Sequence, residues 1–348
     1  MRSIWYVYPM FKRVSWSIVG WRHVHHLRKL GMHIEEVEER TIPTLYLETH
    51  PFLIFHPFFY PFQAYERSIG RQLPLASGVI GIDVADSDRI SEHAVHLTEY
   101  ADALIVPSEF SRKSFIDSGV RKPVYAIPHG LDEEFYEMPP NPMAHFSALV
   151  QKKRRENLIY ALFFLLHSDY RKGMDLVFSW YQKLKKERPN VVLIVVTPVP
   201  WIEGKKFNGI DVWGWFSTEQ KIALYDLADI YPMFSRGGGF EMCSLEALAR
   251  RAVVIAPEGG SWAEYLPKFS LVKSYRCSYV LPDNPIHVGG GVEIDVDKAV
   301  DKAVDIVDDL QEYKQRTWEY VQQIKSKYNW DNVAFMLKSV IEKTFKLD

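Results

Sequence analysis

The densest group of residues able to do chemistry lies between Ala228 and Glu264. Gly237, Gly238 and Gly239 are followed by Phe240, Glu241 and Glu246, and a second glycine pair stands at Gly259 and Gly260. Successive glycines let a backbone come close to a ligand, and the unpaired N–H groups of a helix starting after them attract an anion. A carboxylate at Glu246, near that opening, is suited to accept hydrogen bonds from vicinal hydroxyls such as those of a ribose. Positive charge is available from Arg171, Lys172 and Arg236. A second group, Asp83 with Asp86 and Asp88, follows an apolar run. Its spacing suggests a metal loop, but no glutamate follows at EF-hand distance, so no metal site is expected.

These residues need a scaffold, and the sequence describes one. Short apolar runs alternate with amphipathic stretches, the pattern of βαβ units around parallel sheets. Expected strands are Ser3–Tyr8, Ile34–Val37, Leu53–His56, Val79–Asp83, Ala103–Val106 and Val124–Ile127, then Leu158–Leu166, a run from Val191, Gly209–Val212, Ile230–Met233 and Val253–Ala256. Val24, Leu27 and Leu30 recur at helical spacing before Gly31, a helix C-cap position. Val296–Tyr328 and Trp330–Lys346 read as two long terminal helices, the second capped by Asn329. At 348 residues the chain exceeds one hydrophobic core. Three prolines and a basic run between Glu137 and Glu156 read as a connection, giving an N-terminal domain over 1–145, a second over 146–328 and a terminal helix over 329–348.

Five segments, in order, resemble retaining glycosyltransferases of family 4, the glycosyl transferases group 1. YADALIVPSEFSRKSF with VYAIPHGLDEEFY resembles the motif pair that closes the family's first domain. RKGMD resembles its phosphate-side helix start. VWGWFSTEQKIALYDLADIYPMF leads to the glycine turn, that turn with Glu246 resembles its E-G-F-G and L-E-A-M-A signature, and YNWDNVA resembles its last helix. The resemblance implies α/β GT-B architecture: two Rossmann-like doubly wound domains face a cleft, and the C-terminal helix returns toward the first. It implies an acceptor-side N-terminal domain and a donor-side C-terminal domain binding a nucleotide-diphosphate sugar, with retention, no cofactor and no metal. Donor contacts would come from Gly20, Arg171, Lys172, Arg236, Gly237, Gly238, Gly239, Phe240 and Glu246, and catalytic roles would fall to Asp83, Lys172 and Glu241. Of the two glutamates that frame the family's turn, the second matches Glu246 and the first falls on Gly238; Glu241 could reach a similar place if the turn is reshaped. The family's phosphate-binding arginine falls near Leu166 or His167, leaving Arg171 or Arg236 to compensate. The glycine-rich loop after the first strand is reduced to Gly20. Asp83 stands where the family often has a histidine, a place suited to acceptor contact or base work.

The expected acceptor is a hydroxyl on a glycan, a lipid-linked molecule or a small molecule. The aromatic run from Phe52 to Tyr65 beside WRHVHHLRKL suits a lipid-linked acceptor and peripheral contact with a membrane, and a buried strand and loop explain the same residues equally well. His56 reads as a core or turn histidine, and His129 as a stabiliser of its turn. A net charge of -2 gives no support for nucleic acid as partner. Cys243 and Cys277 form no disulfide framework, the N-terminus lacks the pattern of a secretion signal, and no apolar run reaches membrane-spanning length, which together fit a cytoplasmic protein. A nicotinamide-dependent dehydrogenase is disfavoured because no G-x-G-x-x-G follows a strand. An inactive, glycosyltransferase-like protein that binds nucleotide or glycan is the alternative.

Overall fold

The computed structural model describes residues 3–44, 47–199 and 208–347. Two compact units divide the chain: Met1–Gly130 with Pro282–Gly289 and Lys327–Asp348, and Leu131–Leu281 with Gly290–Ser326. The first boundary precedes the proline-rich stretch expected to hold it. Phe135 and Tyr136 are buried, and the Arg250 guanidinium donates to the carbonyls of Phe135 (3.3 Å) and Met138 (2.9 Å), which fixes this stretch in the second unit.

In the first unit, β1 (Ile4–Tyr8), β2 (Ile34–Glu38), β3 (Phe52–Phe55), β4 (Gly78–Ile82), β5 (Ala103–Val106) and β6 (Val124–Ala126) form one parallel sheet in the order β2-β1-β3-β4-β5-β6. The helices are α1 (Ser15–Lys29), α2 (Phe59–Gln72), α3 (Glu92–Leu97) and α4 (Glu109–Asp117). Strands covered on both faces read as continuous apolar runs, which is why FLIF and ALIV were legible and are buried throughout. Phe55, Phe58, Phe59, Phe62 and Phe115 fill the core of this unit. The phenylalanines of the aromatic run are therefore interior, Phe58 fully buried and not a surface anchor, while Tyr60 and Tyr65 stay exposed. Each such ring contributes about 1.5–3 kcal/mol by leaving water.

The second unit begins with α5 (Glu133–Glu137) and α6 (Pro142–Arg155). Its six-stranded parallel sheet has the order β12-β11-β10-β7-β8-β9. The strands are β7 (Ile159–Phe164), β8 (Val191–Thr197), β9 (Ile210–Trp213), β10 (Ile230–Pro232), β11 (Val253–Pro257) and β12 (Leu271–Val272). Around it lie α7 (Met174–Glu187), α8 (Thr218–Leu227) and α9 (Met242–Ala249), and β13 (Ser274–Cys277) pairs antiparallel with β14 (Gly291–Ile294). The expected long helix over 296–328 is two, α10 (Val296–Asp308) and α11 (Leu310–Ile324), because Asp309 leaves helical geometry at φ -118°. Finally α12 (Trp330–Phe345) belongs to the first unit, with the Asn329 side chain capping it through the Asn332 N–H.

Strand order locates where each sheet can bind. In a doubly wound sheet, ligands sit beyond the carboxyl ends of the strands where the winding direction reverses, because the loops there diverge. In the second unit that point lies between β7 and β10. In the first it lies between β1 and β3.

Candidate active site

At the reversal point of the second sheet, the loop after β7 carries Arg171 and Lys172, and the loop after β10 carries the glycine turn and Glu241. The Arg236 N–H donates to the Arg171 carbonyl at 2.7 Å, so the two loops are stapled. Gly173 follows with φ +69°, and a Cβ there would overlap the Phe234 carbonyl, so only glycine lets the chain enter α7 at this place. Lys172 Nζ donates to Glu241 Oε2 at 2.5 Å, and Arg171 Nη1 to Glu241 Oε1 at 3.3 Å and to the Gly237 carbonyl at 3.1 Å. Two cations therefore share one carboxylate, a local charge of plus one. Lys172, with its side chain 20% exposed against 8% and 5% for the other two, is the member that faces solvent.

Gly237, Gly238 and Gly239 do not use left-handed backbone. Gly238 is required for space: a Cβ on it would overlap the Glu241 carboxylate and come within 3.3 Å of Arg171 Nη1. The Glu241 carboxylate thus occupies the volume that a side chain at position 238 would enter, which is where the expected pattern has its first glutamate. The turn is fixed from behind. Ser261 Oγ donates to the Gly238 carbonyl at 2.7 Å, Tyr265 Oη donates to the Glu241 carbonyl at 2.9 Å, and Phe240 stacks on Tyr265 with centroids 4.9 Å apart. Gly260, next to Ser261, has φ +77°, so the second glycine pair shapes the segment that grips the first turn.

Helix α9 then starts from Glu241 as its N-cap residue, with no further acidic residue in its first turn. Its Glu246 is buried and already engaged: Lys221 Nζ donates to Oε1 at 2.6 Å and the Tyr225 hydroxyl to Oε2 at 2.7 Å. Burial works to lower the Lys221 pKa, but the Glu246 charge overcomes it and holds the ammonium charged. Burial pushes the Tyr225 hydroxyl well up, keeping it a donor. Neither Lys221 nor Tyr225 was expected; both lie on α8, one helical turn apart, and only tertiary packing brings them to Glu246. Burial also raises the thiol of Cys243 beside them.

Three of the expected site residues are placed otherwise. Arg236 is not a spare cation: its guanidinium grips Asp175 with two bonds (2.8 and 2.7 Å), donates to Glu293 (2.8 Å) and to the Tyr170 carbonyl (2.7 Å), and lies over the Tyr170 ring at 3.9 Å. It ties α7, β14 and the loop after β10 together. Gly20 is not in a loop; it lies inside α1, where a Cβ would meet the Tyr8 ring at 2.6 Å, so it lets α1 pack on β1. Asp83 accepts from the N–H groups of Phe59 (2.7 Å) and Val84 (2.8 Å), holding the turn that opens α2. Burial raises its pKa to about 7 despite those bonds. Each oxygen accepts one backbone N–H, which makes Asp83 a support for the turn at His56.

At the reversal point of the first sheet the structure gathers residues that were read as bland. The Tyr6 hydroxyl lies 2.7 Å from His23 Nδ1 and 3.1 Å from His56 Nδ1, His23 and His56 stack at 5.3 Å, and His129 and Trp330 close the group. Burial lowers the pKa of all three histidines, His129 to about 4, so they are neutral near pH 7. Among the described residues no cluster of His, Cys, Asp or Glu is arranged to hold a metal ion, and no helix is long and apolar enough to cross a membrane.

The family model of glycosyl transferases group 1 matches residues 160–273, the segment that carries the trio and the glycine turn. Uncharacterized protein 356 of Sulfolobus islandicus rod-shaped virus 1 is 30% identical over 363 residues, spanning 98% of this chain and 99% of that protein. "Putative glycosyltransferase 45" of Sulfolobus islandicus filamentous virus (isolate Iceland/Hveragerdi) is 30% identical over 194 residues, 54% of this chain and 50% of that protein. Among solved structures, sucrose-phosphate synthase from Thermosynechococcus elongatus superposes over 100% of both chains with a TM-score of 0.69 at 15% identity, a likeness of fold. With two parallel doubly wound sheets and these matches, the chain belongs to the glycosyl transferases group 1 family and is a glycosyltransferase of GT-B architecture.

Proposed function

We propose that the chain moves a sugar from a nucleotide-diphosphate sugar to a hydroxyl acceptor, with retention at the anomeric carbon. The observation that carries this reading is the Arg171–Lys172–Glu241 trio at the reversal point of the second sheet. A diphosphate leaving group gains negative charge as the glycosidic bond breaks, and fixed positive groups stabilise that change most where water is excluded. Lys172 and the start of α9 would face the phosphates. Arg171 fixes the Glu241 carboxylate, which is then available to hydroxyls of the transferred sugar. Glu246 would take the ribose hydroxyls with lone pairs that Lys221 and Tyr225 leave open, since a carboxylate has about four acceptor positions. The acceptor hydroxyl attacks on the face that the leaving group vacates, which gives retention. The reading needs no metal, because cationic side chains supply the charge.

A panel of nucleotide-diphosphate sugars, read by thermal stabilisation and by release of nucleoside diphosphate, tests this. One donor should stabilise the protein and be hydrolysed slowly, and Lys172→Ala should weaken its binding about ten- to hundredfold, the worth of one hydrogen bond to a charged group. Stabilisation that is equal in Lys172→Ala and wild type would refute the placement. We also propose peripheral contact with a membrane through Val14, Ile18 and Trp21, which are 39%, 57% and 45% exposed at helical spacing on α1 and its entry.

A further inference from the structure

We propose that Nε2 of His56 is the atom of the first unit that receives a hydroxyl of the acceptor, and that Tyr6 sets the tautomer which lets it do so. This rests on the transferase reading above. His56 is fully buried, and its Nε2 has no hydrogen-bond partner. A buried polar atom left without a partner costs about 1–3 kcal/mol, so a fold that keeps one at a ligand-binding position has a use for it. His56 follows the last residue of β3, at the reversal point of the first sheet, which is where this topology binds ligands.

The two contact lengths fit one placement of the proton. The Tyr6 hydroxyl has one proton and two histidine neighbours, so it donates to one and accepts from the other. Hydroxyl donors make shorter bonds than ring N–H donors. On this placement the 2.7 Å contact is Tyr6 donating to His23 Nδ1 and the 3.1 Å contact is His56 Nδ1–H donating to Tyr6, the tautomer that nitrogen labelling of histidine reads directly. Nε2 of His56 is then a bare lone pair, able to accept a hydrogen bond and unable to give one. A hydroxyl is the complementary group, and it is small enough to reach an atom so enclosed. Trp16, edge-on to the His56 ring with centroids 5.2 Å apart and itself partly exposed, is the side chain beside which it would pass. Asp83 fixes the turn that begins at His56 through the Phe59 N–H, which holds the ring in place.

Two variants separate the ring's nitrogens. In His56→Asn the side-chain amide stands in for Nδ1 and keeps the Tyr6 bond, while Nε2 is lost. In His56→Gln the amide oxygen stands near Nε2 and restores the acceptor. With the donor identified by the panel, nucleotide release is measured alone and with glycerol, glucose or glucose 6-phosphate added. His56→Asn should raise the KM for the hydroxyl probe about tenfold, or abolish its effect, while thermal stabilisation by the donor stays as in wild type; His56→Gln should recover most of the loss. In protein labelled with ¹⁵N-histidine, the His56 Nε2 signal should be that of a bare nitrogen, should shift when these probes are added at high concentration, and should change tautomer in Tyr6→Phe. An unshifted Nε2 signal with every probe, or equal probe response in His56→Asn and wild type, overturns the proposal even where donor hydrolysis is normal. Absence of donor binding and hydrolysis in wild type overturns the transferase reading instead.

Discussion

Gly238→Ala inserts one methyl group where the Glu241 carboxylate already lies. The added Cβ would overlap Glu241 Oε1 and stand 3.3 Å from Arg171 Nη1. A flexible side chain could swing away at little cost, but this carboxylate is 5% exposed and held by Lys172 and Arg171. Moving it breaks a buried ion pair, a loss of about 3–5 kcal/mol, whereas squeezing the methyl in costs about 1–3 kcal/mol. The cheaper route wins, so a loss of about 1–3 kcal/mol is expected, equivalent to about 2–12 °C in melting temperature. The assay is a double-mutant cycle by calorimetry with Gly238→Ala, Glu241→Ala and both. Removing Glu241 removes the obstacle, so Gly238→Ala should cost almost nothing in the Glu241→Ala background. Strict additivity would refute the argument that Glu241 fills the space above Gly238. The same geometry has a functional corollary: Gly238→Glu with Glu241→Gly should retain more transfer activity than Glu241→Gly alone.

Arg236→Ala should destabilise the second unit by about 1–3 kcal/mol, because it loses hydrogen bonds to charged groups whose carboxylates, on Asp175 and Glu293, stay half exposed to water, yet leave donor affinity within about threefold below its melting temperature; thermal melting beside nucleotide titration checks this, and lost affinity without lost stability would contradict it. The first unit should lose stability as pH falls below about 6.5, since His23, His56 and His129 are held neutral when folded and take protons more readily when unfolded, with the loss complete near pH 4 for His129. Asp83 acts oppositely. Its pKa of about 7 when folded lies above the unfolded value, so its penalty is full above pH 7 and vanishes near pH 4, and Asp83→Asn should steepen the acid loss seen in melting curves between these limits. A shallower curve in that variant would refute the assignment. Ile18→Asp with Trp21→Asp should abolish flotation with anionic vesicles; flotation equal to that of the unchanged protein, or none by either, removes the membrane proposal.

The central parallel strands were legible because they are buried on both faces and read as apolar runs, as in FLIF, ALIV and VVLIVVT, whereas the edge strands IEEVE and IDVW are half exposed. The hairpin of β13 and β14 was not legible, since SYRC and GVEI are half exposed and show no such run. Residues 282–289 leave that hairpin to join the first unit, where Ile286 enters the core and Ser91 Oγ donates to the Pro285 carbonyl, an excursion that no local pattern announces. At the site, the glycine turn could be read from its residues, Lys172 followed from the family resemblance, and Glu241 could be named as a reaching carboxylate. What spacing cannot give is which charge meets which. Arg236 was ambiguous until Asp175 and Glu293, 61 and 57 residues away, came to it. Lys221 and Tyr225 meet Glu246 across two helices, and Gly20 reads as a loop glycine until the Tyr8 ring is seen against it. His56 was discounted because a lone histidine in an apolar run is most often satisfied; only the unpartnered Nε2 distinguishes it.

The most direct test of the transferase account is nucleoside diphosphate release from the donor panel by wild type, Lys172→Ala and Glu241→Ala, with the anomeric configuration of the transferred sugar read by NMR. The account predicts one preferred donor, a product with the donor's configuration, and release slowed about a hundredfold or more in both variants, the scale of losing one group that stabilises developing charge. An inverted product, or wild-type rates in both variants, would contradict it.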